Sequence, residues 1–464
     1  MIPIVTPEEM GAVDAGAAEA TGVLIGRAGG AVARAAVRMM GGTYGRTVHV
    51  IAGRGNNGAD GRVAADLLAR RGVRVLVHAA DACPRSLPPA DLLVDAAYGT
   101  GFRGVWSPPA IGDTPVLAVD IPSGVRALTG EAFGAVLPAA ATVTFAALKP
   151  GLLFPPGAGL AGRLELADIG LGAGVAAHAH AHLVQASDVA GWVPRRDPTA
   201  HKWRAAVRVI AGSTGMTGAA RLAAQAAMRT GAGMVHLSAP GTLVAQAPAE
   251  VVQLPLATTA WAQQVLDTID RFHALVIGPG LGRDDQTAAQ ARALAVDAPV
   301  PAVIDGDGLF AMAWNNDGAA ALLRRRTTPT VLTPHDGEYA LLTGAAPGPD
   351  RLDAARRLAA ATGCVVLLKG PATVVADPRG EALVATTGDA RLATAGTGDV
   401  LSGIVGALLA MGVPALRAAA AGAWLHGRAA RLAPELGMVA GDLCDHLPAV
   451  LKDVLETAAR EATR

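Results

Sequence analysis

Short apolar runs, each followed by a glycine-bearing loop and then a helical stretch, recur along most of this chain. No other feature limits the fold as strongly. Valine-rich segments at 47–52, 73–78, 91–95, 116–120 and 141–145 lack the polar alternation of a half-exposed strand, so they predict a parallel sheet covered on both faces. A second series begins at Val207 and continues through 234–238, 274–278, 302–305, 330–333 and 364–369. A hairpin is expected near 373–385, and helices at 399–411 and 415–432 close the layer. Between the series the rhythm lapses at 170–200 and ends in Trp192-Val193-Pro194-Arg195-Arg196-Asp197-Pro198, rich in turn formers. A linker is therefore placed at 191–200, between α/β domains at 1–190 and 201–464. The stretch 7–40 has helical apolar spacing suited to packing on the sheet or in a subunit interface, and a homo-oligomer is expected.

Composition removes several function classes. The 39 basic and 39 acidic residues cancel, giving no electrostatic case for a nucleic acid or an anionic membrane. Mean hydropathy is high, +0.36, yet the uncharged stretch Val400 to Leu416 is broken by Gly403, Gly406, Gly412 and Pro414. It falls short of the roughly 20 apolar residues that a bilayer helix needs. The start, MIPIVTPEEM, has acids and no basic segment, which is unlike a signal peptide. Cys83, Cys364 and Cys444 lack metal-ligand spacing. A cytoplasmic enzyme of small molecules is expected. His178, His180 and His182 alternate with alanine and would share one face of an extended strand, but they lie in the low-order stretch and are read as no specific metal site.

Three loops of the first half follow strands directly: Gly53-Arg54-Gly55-Asn56-Asn57-Gly58-Ala59-Asp60-Gly61, the stretch Asp95 to Gly104, and Asp120-Ile121-Pro122-Ser123-Gly124. In a parallel sheet all three emerge at the carboxyl edge, where ligands bind at a reversal of strand order. Helix capping is the competing reading for Asn57 and Asp60, and a strand-end turn is that for Asp95 and Asp120. Convergence of the three loops favours a ligand site. Asn57, Asp95 and Ser123 are suited to offer oxygens to a hard cation.

The segments GRGNNGADG, DAAYGTGFRG, AVDIPSG and TFAALKPGLLFPPG together resemble the Rossmann-like N-terminal domain of the NAD(P)H-hydrate repair enzymes, the YjeF-type epimerase domain. Arg54 and Ala59 depart from that family's usual GPGNNGGDG. The resemblance implies that Asn56, Asn57, Gly58, Ala59, Asp60, Gly99, Thr100, Gly101, Phe102, Arg103, Gly104, Val105 and Asp120 hold the hydrated nicotinamide nucleotide. It implies potassium on Asn57, Asp95 and Ser123, and interconversion of the R and S hydrates at ring carbon 6. Asp120 is the leading acid/base candidate; Lys149 is a second, read first as a plain surface lysine.

In the second half, Ala395-Gly396-Thr397-Gly398-Asp399 leads straight into a helix. Glycines flanking Thr397 let backbone N–H groups crowd a phosphate, and the helix start carries the positive end of the dipole. Asp399 is placed to take a proton from a hydroxyl, its helix-terminal position favouring the ionised form; an ordinary N-cap is the alternative. Lys369-Gly370-Pro371-Ala372-Thr373 ends an apolar strand and suits a nucleotide phosphate. Asp305 and Asp307 are metal or water ligands or, equally, turn residues.

The ordered set GSTGMTGAA, MRTGAGMV, IGPGLG, VIDGDGL, TPHDGE, LLKGPAT and AGTGDVLSG resembles the C-terminal YjeF domain, a ribokinase-like αβα fold acting as nucleotide-dependent NAD(P)H-hydrate dehydratase. That resemblance implies nucleotide contacts from Lys369, Gly370, Pro371, Ala372, Thr373 and Gly398. It implies contacts to the hydrated coenzyme (NADHX or NADPHX) from Ala219, Gly280, Gly282, His335 and Asp399, with ADP as phosphoryl donor and Mg²⁺ as partner. Asp336 stands where the family often has proline, which is expected to loosen that turn. The rival is a ribokinase-like small-molecule kinase with an N-terminal binding or assembly module.

Overall fold

The computed structural model describes residues 1–313 and 318–462. Two compact units emerge, Ile2–Ala181 and His182–Arg464 (with Met1). The break falls before the helix Ala186–Trp192, because Val184, Val189, Ala190 and Val193 are buried in the core of the second unit.

In the first unit, helices α1 (Pro7–Ala15) and α2 (Thr21–Met40) replace the single helical stretch expected at 7–40. A capping box starts α1, with Thr6 accepting from the Glu9 amide and the Glu9 side chain from the Thr6 amide. Six parallel strands follow: β1 (Thr47–Ala52), β2 (Arg74–Ala79), β3 (Leu92–Ala96), β4 (Val116–Val119), β5 (Ala141–Phe145) and β6 (Arg163–Ala167), in the order β2-β1-β3-β4-β5-β6. The three inner strands β3, β4 and β5 are buried along their whole length, which is why they contain no alternation. Edge strand β6 was not expected, since Arg163 and Glu165 interrupt its apolar residues. Helix α3 (Asn56–Ala69) springs from the loop after β1. Strand order reverses between β1 and β3, so the loops after these two strands flank the switch point.

In the second unit the strands are β7 (Ala206–Ile210), β8 (Met234–Ser238), β9 (Val252–Gln253), β10 (Ala274–Ile277), β11 (Ala302–Ile304), β12 (Thr330–Leu332), β13 (Val365–Leu368), β14 (Thr373–Ala376) and β15 (Ala382–Ala385). They lie in the order β15-β14-β13-β12-β11-β10-β7-β8-β9. The β13–β14 and β14–β15 pairs are antiparallel, making the expected hairpin, and the others are parallel. Helix α4 (Thr217–Thr230) follows β7; α5 (Asp336–Thr343) and α6 (Arg351–Thr362) follow β12; α7 (Thr397–Ala410), α8 (Ala415–Leu432) and α9 (Ala440–Ala462) end the chain. Of the last three helices α7 and α8 were expected and α9 was not; it carries Pro448 in its interior. Small residues let α7 and α4 pack closely, their alanines and glycines sharing one buried layer with β7 and β10. Here the order reverses between β10 and β7, again placing two glycine-rich loops at the switch.

The three-histidine alternation is not an extended strand. His178 closes the helix Gly172–His178, and extended structure resumes only at Ala181.

Two candidate active sites

At the first switch point the loops are joined backbone to backbone. The Gly53 amide donates to the Ala96 carbonyl at 3.0 Å. A Cβ on Gly53 would sit 1.9 Å from the Ala97 carbonyl oxygen, so no larger residue fits. A cavity of about 950 Å³ opens above this junction. Asn56, Asn57, Asp60, Gly99, Thr100, Gly101, Phe102, Arg103 and Asp120 line it. Gly58, Ala59, Gly104 and Val105 are not on its wall, and Val105 is 74% exposed.

Lys149 is not a surface lysine. Its side chain is 2% exposed, and its ammonium lies 2.6 Å from Asp120 Oδ1. It also donates to Thr144 Oγ1 (3.0 Å) and to the Phe145 carbonyl (2.9 Å). Thr100 and Thr144 donate to the two Asp120 oxygens at 2.9 and 3.1 Å. Burial alone would raise the Asp120 carboxyl, but the Lys149 charge and these donors win and hold it below the ordinary carboxylate range. Asp120 adopts φ of +66°, a left-handed conformation unusual for a residue with a side chain. Asp60, by contrast, is pushed up to about 8 by burial and by the Asp120 charge, with Lys149 opposing. Thr144 and Asp14, which the sequence reading did not single out, complete this charged group; Asp14 is raised by burial, against the pull of Lys149.

Beneath the cavity the proposed cation ligands are assembled in part. Ser123 donates through its amide (2.9 Å) and hydroxyl (2.6 Å) to the wholly buried Asp95. Asn57 Oδ1 and Nδ2 are buried without any partner, close to Gly99. An orphaned buried amide oxygen, a buried carboxylate and a hydroxyl are donors that suit a hard cation, so these residue types fit the group.

At the second switch point the Gly212 amide donates to the Pro279 carbonyl (2.7 Å) and Ser213 Oγ to that of Gly280 (2.9 Å). A Cβ on Gly278 would lie 1.8 Å from the Asp305 carbonyl oxygen, and its φ is +125°. Ala219 and Gly280 are neighbours, as the shared-site reading requires. The Gly282 amide donates to Asp307, which also pairs with Arg283 at 2.7 Å. Asp307 is thus a brace between loops.

Lys369 Nζ lies 3.0 Å from Asp305 Oδ1 and 3.4 Å from Glu338 Oε2, and Ser402 Oγ donates to Asp305 Oδ2 at 2.7 Å. Those two carboxylates raise the Lys369 ammonium against the lowering effect of burial. Gly398 is next to both Lys369 and Asp305, which brings the GTGD and KGPAT segments together. Asp399, half-buried in the first turn of α7, departs from expectation. Burial first, then the Asp305 charge, push its carboxyl up to about 7. Its proton thus comes off near neutrality.

His335 caps α5: its Nδ1 accepts from the Gly337 and Glu338 amides, and its side chain is 59% exposed. Asp336 does not loosen the turn. It is the first residue of α5 and pairs with Arg351 at 3.0 Å. Arg351 in turn donates to the Lys369 carbonyl at 2.7 Å. Glu338, Ser402 and Arg351 were assigned no role from sequence; their partners lie in distant segments, and only the assembled sheet edge reveals them. Among the described residues no three His, Cys, Asp or Glu side chains converge on a metal position, and no helix is long and apolar enough to cross a membrane.

Known proteins match both units of the chain. The family model described as NAD(P)H-hydrate dehydratase matches residues 207–452, and that described as YjeF-related protein N-terminus matches 21–88 and 78–151. The bifunctional NAD(P)H-hydrate repair enzyme of Moorella thermoacetica is 37% identical, over 89% of this chain and 88% of its own. That of Mycobacterium tuberculosis is 39% identical over 82% of each, and that of Escherichia coli 33% identical over 87% and 84%. Among solved structures, the ADP/ATP-dependent NAD(P)H-hydrate dehydratase of Bacillus subtilis, co-crystallised with ATP/Mg²⁺, is similar. It has a TM-score of 0.51 and 29% identity, and covers 58% of this chain and 97% of its own. A ribokinase-like protein of Enterococcus faecalis shares the fold, with a TM-score of 0.53, 22% identity, and coverage of 59% and 96%. The chain belongs to the family of bifunctional NAD(P)H-hydrate repair enzymes.

Proposed function

We propose that this chain repairs hydrated nicotinamide coenzymes in two steps. Its first unit, Ile2–Ala181, interconverts the R and S hydrates, and its second, from His182 onward, dehydrates the S form at the expense of ADP. The observation that carries the reading is the coexistence, in one chain, of the Asp120–Lys149 cavity and the Asp399–Asp305–Lys369 cluster, each at a reversal of strand order. Spontaneous hydration gives both epimers, and a stereospecific dehydratase restores only one. An attached epimerase supplies it with the other.

In the second site Asp399, with its proton leaving near pH 7, takes the proton of the carbon-6 hydroxyl. The hydroxyl oxygen bonds to the terminal phosphorus of ADP, and the bond to AMP breaks. Phosphate then departs with the C–O electron pair while the neighbouring ring carbon gives up a proton, restoring the double bond. The Gly396–Gly398 amides at the start of α7 and the Lys369 ammonium stabilise the transferred charge. Mg²⁺, bound with the nucleotide, supplies further neutralisation. In the first site Asn57, Asp95 and Ser123 would hold K⁺, which supplies a fixed positive charge beneath the loops. His335, Gly280, Gly282 and Ala219 edge the coenzyme side of the second cleft in this reading, and Lys369–Thr373 the nucleotide side. A cytoplasmic homo-oligomer completes the proposal, checked by light scattering.

The test mixes purified protein with both hydrate epimers and ADP or ATP, with and without Mg²⁺ and K⁺, while absorbance at the dihydronicotinamide band is followed. Full recovery of both epimers with ADP and Mg²⁺ is expected. A stable phosphorylated acceptor without restored coenzyme would instead establish a kinase.

A further inference from the structure

The first cavity contains two buried carboxyls in opposite surroundings. Asp60, on α3, and Asp120, after β4, are each 7% exposed and both line it. Asp120 is enclosed by an ammonium and two hydroxyl donors. Among the described residues no donor and no ion-pair partner reaches Asp60. A carboxylate buried without either is strongly disfavoured and takes up a proton instead. The other charges on the wall do not supply what Asp60 lacks: Arg54 is paired with Asp81, Glu19 with Arg27, Asp14 is itself a raised acid, and among the described residues neither Arg62 nor Arg103 forms an ion pair with Asp60. One carboxyl is thereby kept neutral and the other ionised, the arrangement that separates acid from base in a shared site.

We propose that these two carboxyls divide the proton chemistry of epimerisation, Asp60 as the acid that expels the carbon-6 hydroxyl and Asp120 as the base that receives the incoming water. The assignment rests on the epimerase reading of this unit and moves the acid from Asp120, the leading candidate in the sequence, to Asp60. Asp60 gives its proton to the hydroxyl oxygen. The C–O bond breaks with its electron pair on oxygen, water leaves, and the ring nitrogen lone pair forms a C=N⁺ bond. The ionised Asp120 offsets that positive charge. A solvent water adds to the opposite face, the C=N π pair returning to nitrogen. The resulting protonated hydroxyl is acidic enough to lose its proton even to a carboxylate stabilised by Lys149. Asp60, the more basic carboxylate, then recovers the proton from Asp120, which resets the pair.

The test uses the full-length protein, with spontaneous epimerisation subtracted. D60N is expected to lose about 10²- to 10⁴-fold in epimerisation kcat, the range of a general acid. Its KM should change little, and its dehydration of the S hydrate should match wild type. In wild type, epimerisation kcat should fall as pH rises through about 8, where Asp60 loses its proton. D120N should lose rate and keep a falling limb displaced to lower pH, because the Asp120 charge helps hold the Asp60 proton, whereas the residual rate of D60N should lack it. D60N within threefold of an active wild type overturns the assignment, and so does a wild-type kcat that is flat from pH 7 to 9. A wild-type protein without epimerase activity overturns the underlying reading instead.

Discussion

The Lys149 ammonium and the Asp120 carboxylate form an ion pair of 2.6 Å in which both side chains are almost wholly shielded from water. Removing one partner strands the other. Lys149→Met is expected to destabilise the first unit by about 3–5 kcal/mol at pH 7, the usual cost of an uncompensated buried charge. Hydrogen exchange of β4 and β5 reads this without interference from the second unit and should quicken by roughly two to four powers of ten. The sign with pH is fixed by the direction of the Asp120 shift. Its folded carboxyl titrates below the unfolded one, so in wild type the pair's contribution is complete above the unfolded pKa and is lost as pH falls through the folded value. In the variant the stranded carboxyl protonates readily, so its deficit should shrink on acidification.

Asp399→Asn should cost about 10²- to 10⁴-fold in dehydration while leaving epimer exchange at wild-type speed. The wild-type dehydration rate should rise with pH through about 7, because Asp399 acts deprotonated and its carboxyl is lifted to that range. Steady-state kcat between pH 5 and 9 checks both statements. Simultaneous loss of the two activities would contradict independent sites.

Asp305 sets where that limb lies. Its charge is the main neighbour holding the Asp399 proton on, and Lys369 is the opposing cation. Asp305→Asn should therefore move the rising limb to lower pH, and Lys369→Met should move it higher. Lys369→Met should also raise the KM for nucleotide roughly tenfold or more, as loss of a charge-assisted contact does. Opposite displacement of the two profiles is the decisive readout.

Arg351 reaches no ligand in this reading, yet it ties Asp336 to the Lys369 carbonyl. Arg351→Ala should raise the KM for nucleotide about tenfold, in line with about 1.5–3 kcal/mol for a hydrogen bond to a charged group, and change kcat far less. Arg351→Lys should rescue only in part, since one ammonium cannot reproduce the planar fork. Equal loss in kcat and KM would point to general disorder of the loop.

Most strands were legible because β3, β4, β5 and β7 are buried along their whole length and therefore carry uninterrupted apolar runs. The loops were legible because glycine is forced where two backbones meet, as at Gly53 and Gly278. Edge strand β6 escaped notice because a sheet border tolerates Arg163 and Glu165. Lys149 was misjudged for a physical reason: a lysine is ordinarily solvated, and nothing in the local sequence announces that Asp120, many residues away, will bury it. The proton affinity of Asp399 was misjudged likewise. Its place at a helix start is local, whereas its burial in the assembled site, and then the charge of Asp305 from a neighbouring strand end, are not. Asp336 read as a defect in a turn, and only the position of Arg351 shows it as a strut.

Each cleft has its rim stitched by main-chain atoms, Gly53 to Ala96 in one and Gly212 to Pro279 in the other. The spacing of the two loops at each switch is accordingly held by backbone, whatever side chains those loops carry. The two ribbons forming a rim cannot be transplanted singly, however. A chimera that exchanges one of them with a relative inherits a mismatched seam, whereas exchanging both together carries the fastening along.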